Sequence, residues 1–249
     1  MLSKNTVKFI KSLHQKKFRN QEQKFFVEGE KSVVETLNSD FEVEMLVATE
    51  SFLDRYGSSI NKSGAQVILA TQNQLENLGQ YQSNDSALAV VKMKSNSPFD
   101  FPEHNFVIGL DDVRDPGNLG TIVRIADWYG IKNLVFSVQT ADFYNPKVIQ
   151  SSMGSFTRVK FFYDDLAKVF KEWNVPIYGA FLDGKNIHEI KQISSGVLLM
   201  GNESNGISEI LAKVVTDKVT IPGFGQAESL NVAIATAILC DNFKRLTKE

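Results

Sequence analysis

Apolar and polar positions alternate along this chain in two rounds, separated by the polar, proline-bearing stretch Ser-Asn-Ser-Pro-Phe-Asp-Phe-Pro at 95–102. Before it, short apolar runs at 43–48, 66–70 and 87–92 read as strands, and segments at 31–37, near 52–56 and near 72–78 carry apolar residues at helical spacing. That alternation predicts a small α/β layer. After the stretch, strands are expected at 106–110, 133–136, 158–162, 177–181, 197–200 and 218–221, with helices between most of them and one at the C-terminus. Several of these runs are apolar throughout, as parallel strands covered on both faces are. The expected architecture is therefore α/β with two domains, 1–95 and 102–249, joined by 95–102 as linker.

Three segments break the pattern with chemistry. In 221–232, Gly223 and Gly225 allow close backbone approach or positive φ, and Ser229 and Asn231 stand where a nearly all-apolar run, Leu230 to Cys240, begins. An apolar circumference predicts a buried helix. The polar pair is then either an N-cap or the rim of a ligand loop. In 111–124, Leu119, Ile122, Val123 and Ala126 form a buried helical stripe, while Arg124 lies about 140° from Leu119 and faces solvent, a cleft or a partner chain. Asn118 at its start is a turn residue or a site residue. In 197–206, an apolar strand ends in Gly201-Asn202-Glu203-Ser204-Asn205-Gly206. Loops beyond the carboxyl ends of strands are where open α/β sheets bind ligands. Glu203 either accepts hydrogen bonds from a ligand or braces the turn.

Composition narrows the class. With 43% apolar and 22% charged residues the chain is an ordinary globular one. A single cysteine, Cys240, excludes an internal disulfide and a cysteine zinc cluster and suits a cytoplasmic setting. No run is long enough to span a bilayer, and the N-terminal segment lacks the apolar core of a signal peptide, so no membrane partner is expected. His14, His104 and His188 have no metal-ligand spacing. The P-loop-like spacing at 179–186 ends in Asn186 where a hydroxyl would meet magnesium. Net charge is −2, but residues 1–32 hold eight Lys/Arg against three acids, leaving 19 against 26 in the remainder. This basic N-terminal arm suits phosphate contact, or is a solvated helix.

Taken in order, Asn118-x-Gly120-x-x-x-Arg124, Gly201-Asn-Glu203-x-x-Gly206 and Ile221-Pro-x-x-Gly225-x-x-Glu-Ser229-Leu-Asn231-Val resemble the three motifs of the SpoU (TrmH-like) family of RNA ribose methyltransferases, in the SPOUT superfamily. The resemblance covers roughly 105–246, and Phe25-Phe-Val-Glu-Gly-Glu-Lys31 looks like the start of the small substrate-binding domain of many members. Ser204-Asn205 and Ala233 depart from the usual motifs, and neither change touches a residue given a chemical role.

What the resemblance implies is specific. The C-terminal α/β domain would carry a deep trefoil knot and act as a homodimer. S-adenosylmethionine would be held near Met200, Gly201, Asn202, Gly206, Ile221, Gly225 and Leu230, with no metal. Arg124, Asn118, Glu203, Ser229 and Asn231 would form the catalytic set for methylation of a ribose 2′-hydroxyl in structured RNA, ribosomal rather than transfer RNA. Residues 1–95 with their basic arm would capture that RNA. Arg124 would either activate the hydroxyl or clamp a neighbouring phosphate. The competing readings are ribose methylation of transfer RNA and a non-catalytic RNA-binding or ribosome-assembly protein that keeps the fold.

Overall fold

The computed structural model describes residues 2–247. Its contacts divide into two units: residues up to Ser95 together with Asp142–Thr157, and Asn96–Ala141 together with the chain from Arg158 onward.

In the first unit, α1 (Lys4–Ser12) and α2 (Lys16–Glu22) precede β1 (Lys24–Glu28), α3 (Glu30–Leu37), β2 (Val43–Ala48), α4 (Glu50–Ser63), β3 (Gln66–Leu69), α5 (Gln72–Leu78) and β4 (Ala87–Lys92). The strands lie in the order β1-β4-β2-β3, with β2 and β3 parallel and the other pairs antiparallel. The basic arm is not a tail. Ser3 caps α1 by accepting from the Thr6 N–H at 3.1 Å, and Ile10 and Leu13 enter a core with Phe26, Leu75, Leu78, Leu88 and Val90. The strand pattern at 24–28 was hidden among these charges; pairing with β4 fixes it.

Phe25 alternates to the other face of β1 from Phe26, and there it meets Tyr144 at 4.6 Å and Phe156 at 5.9 Å between ring centroids. Residues 142–157, expected from the sequence within the second domain, thus complete the first unit; α7 (Pro146–Ser152) lies in this segment. Arg19, 1% exposed, donates to the carbonyls of Leu13 and His14 and pairs with Asp142.

The second unit holds β5 (Phe106–Leu110), α6 (Pro116–Trp128), β6 (Asn133–Phe136), β7 (Lys160–Tyr163), α8 (Leu166–Trp173), β8 (Ile177–Asn186), β9 (Gly196–Met200), α9 (Glu209–Ala212), β10 (Asp217–Thr220) and α10 (Val232–Leu246). All six strands are parallel, in the order β10-β8-β9-β5-β6-β7. The chain progresses from β5 outward through β6 to β7, and β9 returns on the other side of β5. The switch point therefore lies between the carboxyl ends of β5 and β9. The expected linker is bolted down. Asn96 exchanges hydrogen bonds with the backbone of Tyr163, and Phe99 and Phe101 pack on Trp173. Residues 179–186 continue β8 rather than forming a phosphate loop.

Cys240 is fully buried on α10, and burial pushes its thiol up to about 12. Thiolate is the reactive form, so the native protein should resist iodoacetamide at pH 8 and be alkylated quickly once denatured, as read by intact mass. Comparable rates in both states would contradict the burial.

Candidate active site at the sheet switch point

Each strand end at the switch point leads into a loop fixed by its own side chains. After β5, the buried Asp111 carboxylate accepts from the Ser208 N–H at 2.7 Å, and Asp112 sits at φ 58° with its N–H donating to Ser137 Oγ. Asp115 then caps α6 by accepting from the Asn118 N–H at 2.8 Å, with Pro116 in the first turn, where its missing N–H costs nothing. Those caps place Asn118 in the first turn of α6 with its side chain free to reach sideways.

After β9, Gly201 lies against Gly206 so closely that a Cβ on it would stand 2.2 Å from the Gly206 carbonyl carbon. Asn202 and Gly206 exchange both backbone hydrogen bonds at 2.9 Å, and Gly206 takes φ 68°. The Asn202 side chain donates to the Asp112 carbonyl and accepts from the Ser204 and Asn205 N–H groups. Met200 is buried, and its carbonyl accepts from the Asp111 N–H.

Between β10 and α10 lies the third loop. Asn231, not Ser229, is the N-cap: its Oδ1 accepts from the N–H groups of Ala233 at 2.9 Å and Ile234 at 3.3 Å. The apolar run is also less enclosed than its composition predicts: Leu230 falls in the loop before the cap and is 49% exposed, and Ile234 in the first turn of α10 is 53% exposed.

One side chain joins the three loops. Asn118 Nδ2 donates to Glu203 Oε1 at 2.8 Å, and Asn118 Oδ1 accepts from Asn231 Nδ2 at 2.9 Å. The orientation of both amides is forced. Asn231 must present its oxygen to the helix N–H groups, so its nitrogen faces Asn118; Asn118 must then turn its own nitrogen to the carboxylate. Neither Asp nor Leu at 118 could donate and accept in this way.

Arg124 stands apart from this chain of bonds. It is exposed, has no hydrogen-bond or ion-pair partner among the described residues, and lies about 120° around α6 from Asn118. Ser229 is likewise exposed without a partner among the described residues. Gly225 and Gly223 have open space where a Cβ would be, Ile221 is half-buried, and Phe224 is 95% exposed. The structure thus brings Asn118, Glu203 and Asn231 together, shapes one loop with Gly201, Asn202 and Gly206, and leaves Arg124, Ser229, Gly225 and Leu230 open to a ligand or another chain. Asp111, Asp112 and Asp115 were not singled out from the sequence. Only Asp115, directly before Pro116, carries a readable capping signal.

A parallel sheet whose switch point carries one bonded polar cluster, a tightly closed loop at 201–206 and a loop at 221–230 with open space at its glycines defines an α/β protein built to hold a small ligand there. The chain belongs to the SpoU rRNA Methylase family, whose model matches residues 105–241; residues 4–89 match the MRM3-like substrate binding domain. It is 34% identical to the 23S rRNA (guanosine(2553)-2'-O)-methyltransferase RlmP of Bacillus subtilis (strain 168), over 94% of this chain and 93% of that protein. Among solved structures it is similar to a TrmH-family protein from Porphyromonas gingivalis, at 36% identity and TM-score 0.84 over 98% of this chain and 99% of that one. It is also similar to an AdoMet-bound rRNA methyltransferase from Sinorhizobium meliloti, at 28% identity and TM-score 0.88 over 98% and 96% of the two chains. No helix among the described residues is long and apolar enough to cross a membrane.

Proposed function

We propose that this protein methylates a ribose 2′-hydroxyl of 23S ribosomal RNA, using S-adenosylmethionine and acting as a homodimer. The observation that carries this reading is the Glu203–Asn118–Asn231 chain of hydrogen bonds, which locks all three motif loops together at the switch point of the sheet. The family membership and the near full-length similarity to a 23S rRNA methyltransferase support the substrate.

The residues present fit the cofactor. Loop 221–230 shows open space at Gly223 and Gly225, so its amides and carbonyls are accessible, and it carries Ile221 and Leu230 as partly exposed apolar surface for a nucleobase. Gly201, Asn202 and Gly206 shape the facing loop, and Met200 anchors it from the buried strand end. When bound, S-adenosylmethionine supplies an activated methyl group on sulfur. The chain's own part is placement. Asn118, Glu203 and Asn231 fix the loops, and Ser229 offers an exposed hydroxyl to the ribose. A guanidinium gives up its proton only at great cost, so Arg124 clamps the phosphate beside the target ribose and aims the hydroxyl, whose proton leaves to phosphate or water.

Dimerisation is supported by the α6–α10 pair, which leaves the large apolar side chains Trp128 and Ile234 82% and 53% exposed. Arg124 lies on the same α6, turned away from its own chain's polar cluster, and in this reading completes the site of the partner. The reading includes the trefoil knot of the C-terminal segment. Two features support it: β9 inserted between β8 and β5, and the end of α10 returning to Ile193, whose N–H donates to the Leu246 carbonyl at 3.3 Å. Residues 1–95 with 142–157 serve as the RNA-capturing domain.

Calorimetry with S-adenosylmethionine is expected to show saturable heat, and rRNA from cells lacking this protein is expected to miss one 2′-O-methyl mark. Absence of binding heat would leave the non-catalytic reading, and a mark lost from transfer RNA alone would move the substrate.

A further inference from the structure

The first unit treats its cations in two ways. Lys24 and Lys92 in the sheet, Lys94 just after it and Arg55 on α4 face the carboxylates of Glu44 at 2.7 Å, Glu42 at 2.6 Å, Asp40 at 2.5 Å and Glu30 at 2.7 Å, while Lys62 at the end of α4 is exposed with no ion pair among the described residues. Lys4, Lys8, Lys11, Lys16 and Lys17 on α1 and α2 are exposed, and none has an ion-pair partner among the described residues. Positions 4, 8 and 11 fall within about 60° around α1 and span about 10 Å of its axis. The opposite side of that helix is held in the core by Ile10. The three ammonium groups therefore form a stripe on a backbone fixed by packing. Like charges one turn apart repel, and no carboxylate among the described residues pairs with them, so the stripe keeps a positive potential that a polyanion would neutralise. Lys17, whose Nζ lies 5.9 Å from the Phe18 ring centroid, extends the positive surface onto α2.

We infer that the lysine ridge of α1 and α2 is the surface on which this unit takes the phosphodiester backbone of structured RNA, while the sheet lysines, already neutralised, contribute little. RNA as the occupant rests on the RNA-modifying reading above and on charge complementarity; the ridge reads charge and not base sequence.

The test uses full-length protein, because residues 142–157 complete the unit and a cut at Ser95 would strip Phe25 of Tyr144 and Phe156. Affinity for a transcribed 23S rRNA fragment is measured across a salt series for wild type, for the triple variant Lys4→Gln, Lys8→Gln, Lys11→Gln, and for the control Lys92→Gln, Lys94→Gln. Each lost phosphate contact lowers the slope of log affinity against log salt by about 0.7–0.9. The triple variant is expected to lose about 2–3 units of slope and the control almost none. A triple variant with the wild-type slope, or a control with an equal loss, overturns the ridge, as does a loss of binding to anionic vesicles with RNA affinity intact. S-adenosylmethionine calorimetry on the same proteins keeps the two readings separate. Normal binding heat with an unchanged slope fails the ridge alone, and a reduced slope with no binding heat in wild type fails the methyltransferase reading alone.

Discussion

Heterodimers isolated from cells co-expressing Arg124→Ala and Asn118→Ala chains, each with its own affinity tag, are expected to recover about half of wild-type methyl transfer, because in the proposed homodimer, where Arg124 completes the partner's site, one of two symmetric sites stays intact. Each variant as a homodimer is expected to lose about 100-fold or more in kcat, the scale on which misplaced reactants lose rate. The two faces of α6 lead to this outcome. Asn118 is committed to Glu203 and Asn231 of its own chain, whereas Arg124, about 120° away around the helix, has no hydrogen-bond or ion-pair partner among the described residues. If Arg124 serves its own chain's site, each half of the heterodimer carries one lesion and activity stays at the level of the homodimeric variants. Asn118→Ala also separates positioning from binding: with Glu203 and Asn231 no longer joined, S-adenosylmethionine binding should weaken along with turnover, while Arg124→Ala should bind the cofactor as wild type does.

Replacing Asp142 by Ala is expected to destabilise the first unit by about 3–5 kcal/mol, the range for leaving one member of a buried ion pair uncompensated. Arg19 is among the largest fully buried side chains, its Nε has no hydrogen-bond partner among the described residues, and two of its three bonds go to the neutral carbonyls of Leu13 and His14. Asp142 supplies the counter-charge and also accepts from the Tyr144 N–H at 3.1 Å. In urea, the midpoint should fall with the slope unchanged. The double variant Arg19→Met, Asp142→Leu should regain most of the loss, since apolar replacements remove both desolvated charges. A loss below about 0.5 kcal/mol in Asp142→Ala, the size of an ordinary surface substitution, would show that the pair does not hold the unit together.

This ion pair joins residues 123 positions apart, a separation no local pattern in the sequence encodes. The strand pattern of the second half was legible because parallel strands buried on both faces are continuous apolar runs, as in Phe106–Leu110 and Gly196–Met200. Strand β1 was not, because its Phe-Phe-Val lies inside a basic stretch that reads as an arm. The 142–157 segment was not, because nothing local distinguishes a helix that packs on its own sheet from one that packs in another unit. The linker at 95–102 shows the same limit: its prolines signalled a boundary, while the stacking of Phe99 on Trp173 depends on a helix some seventy residues later.

The order and spacing of the three motifs, the α/β class, the buried stripe of α6 and the uneven charge of the first 32 residues follow from the sequence alone, since each depends on neighbours within a few turns of chain. The tertiary structure alone decided that Asn231 rather than Ser229 caps the last helix, that Asn118 ties Glu203 to Asn231, that Arg124 lies off that cluster, and which lysines are free. Hydrogen bonds across 85 and 113 residues of chain, and ion pairs across the sheet, depend on which strand ends the fold brings together. No local periodicity encodes that distance.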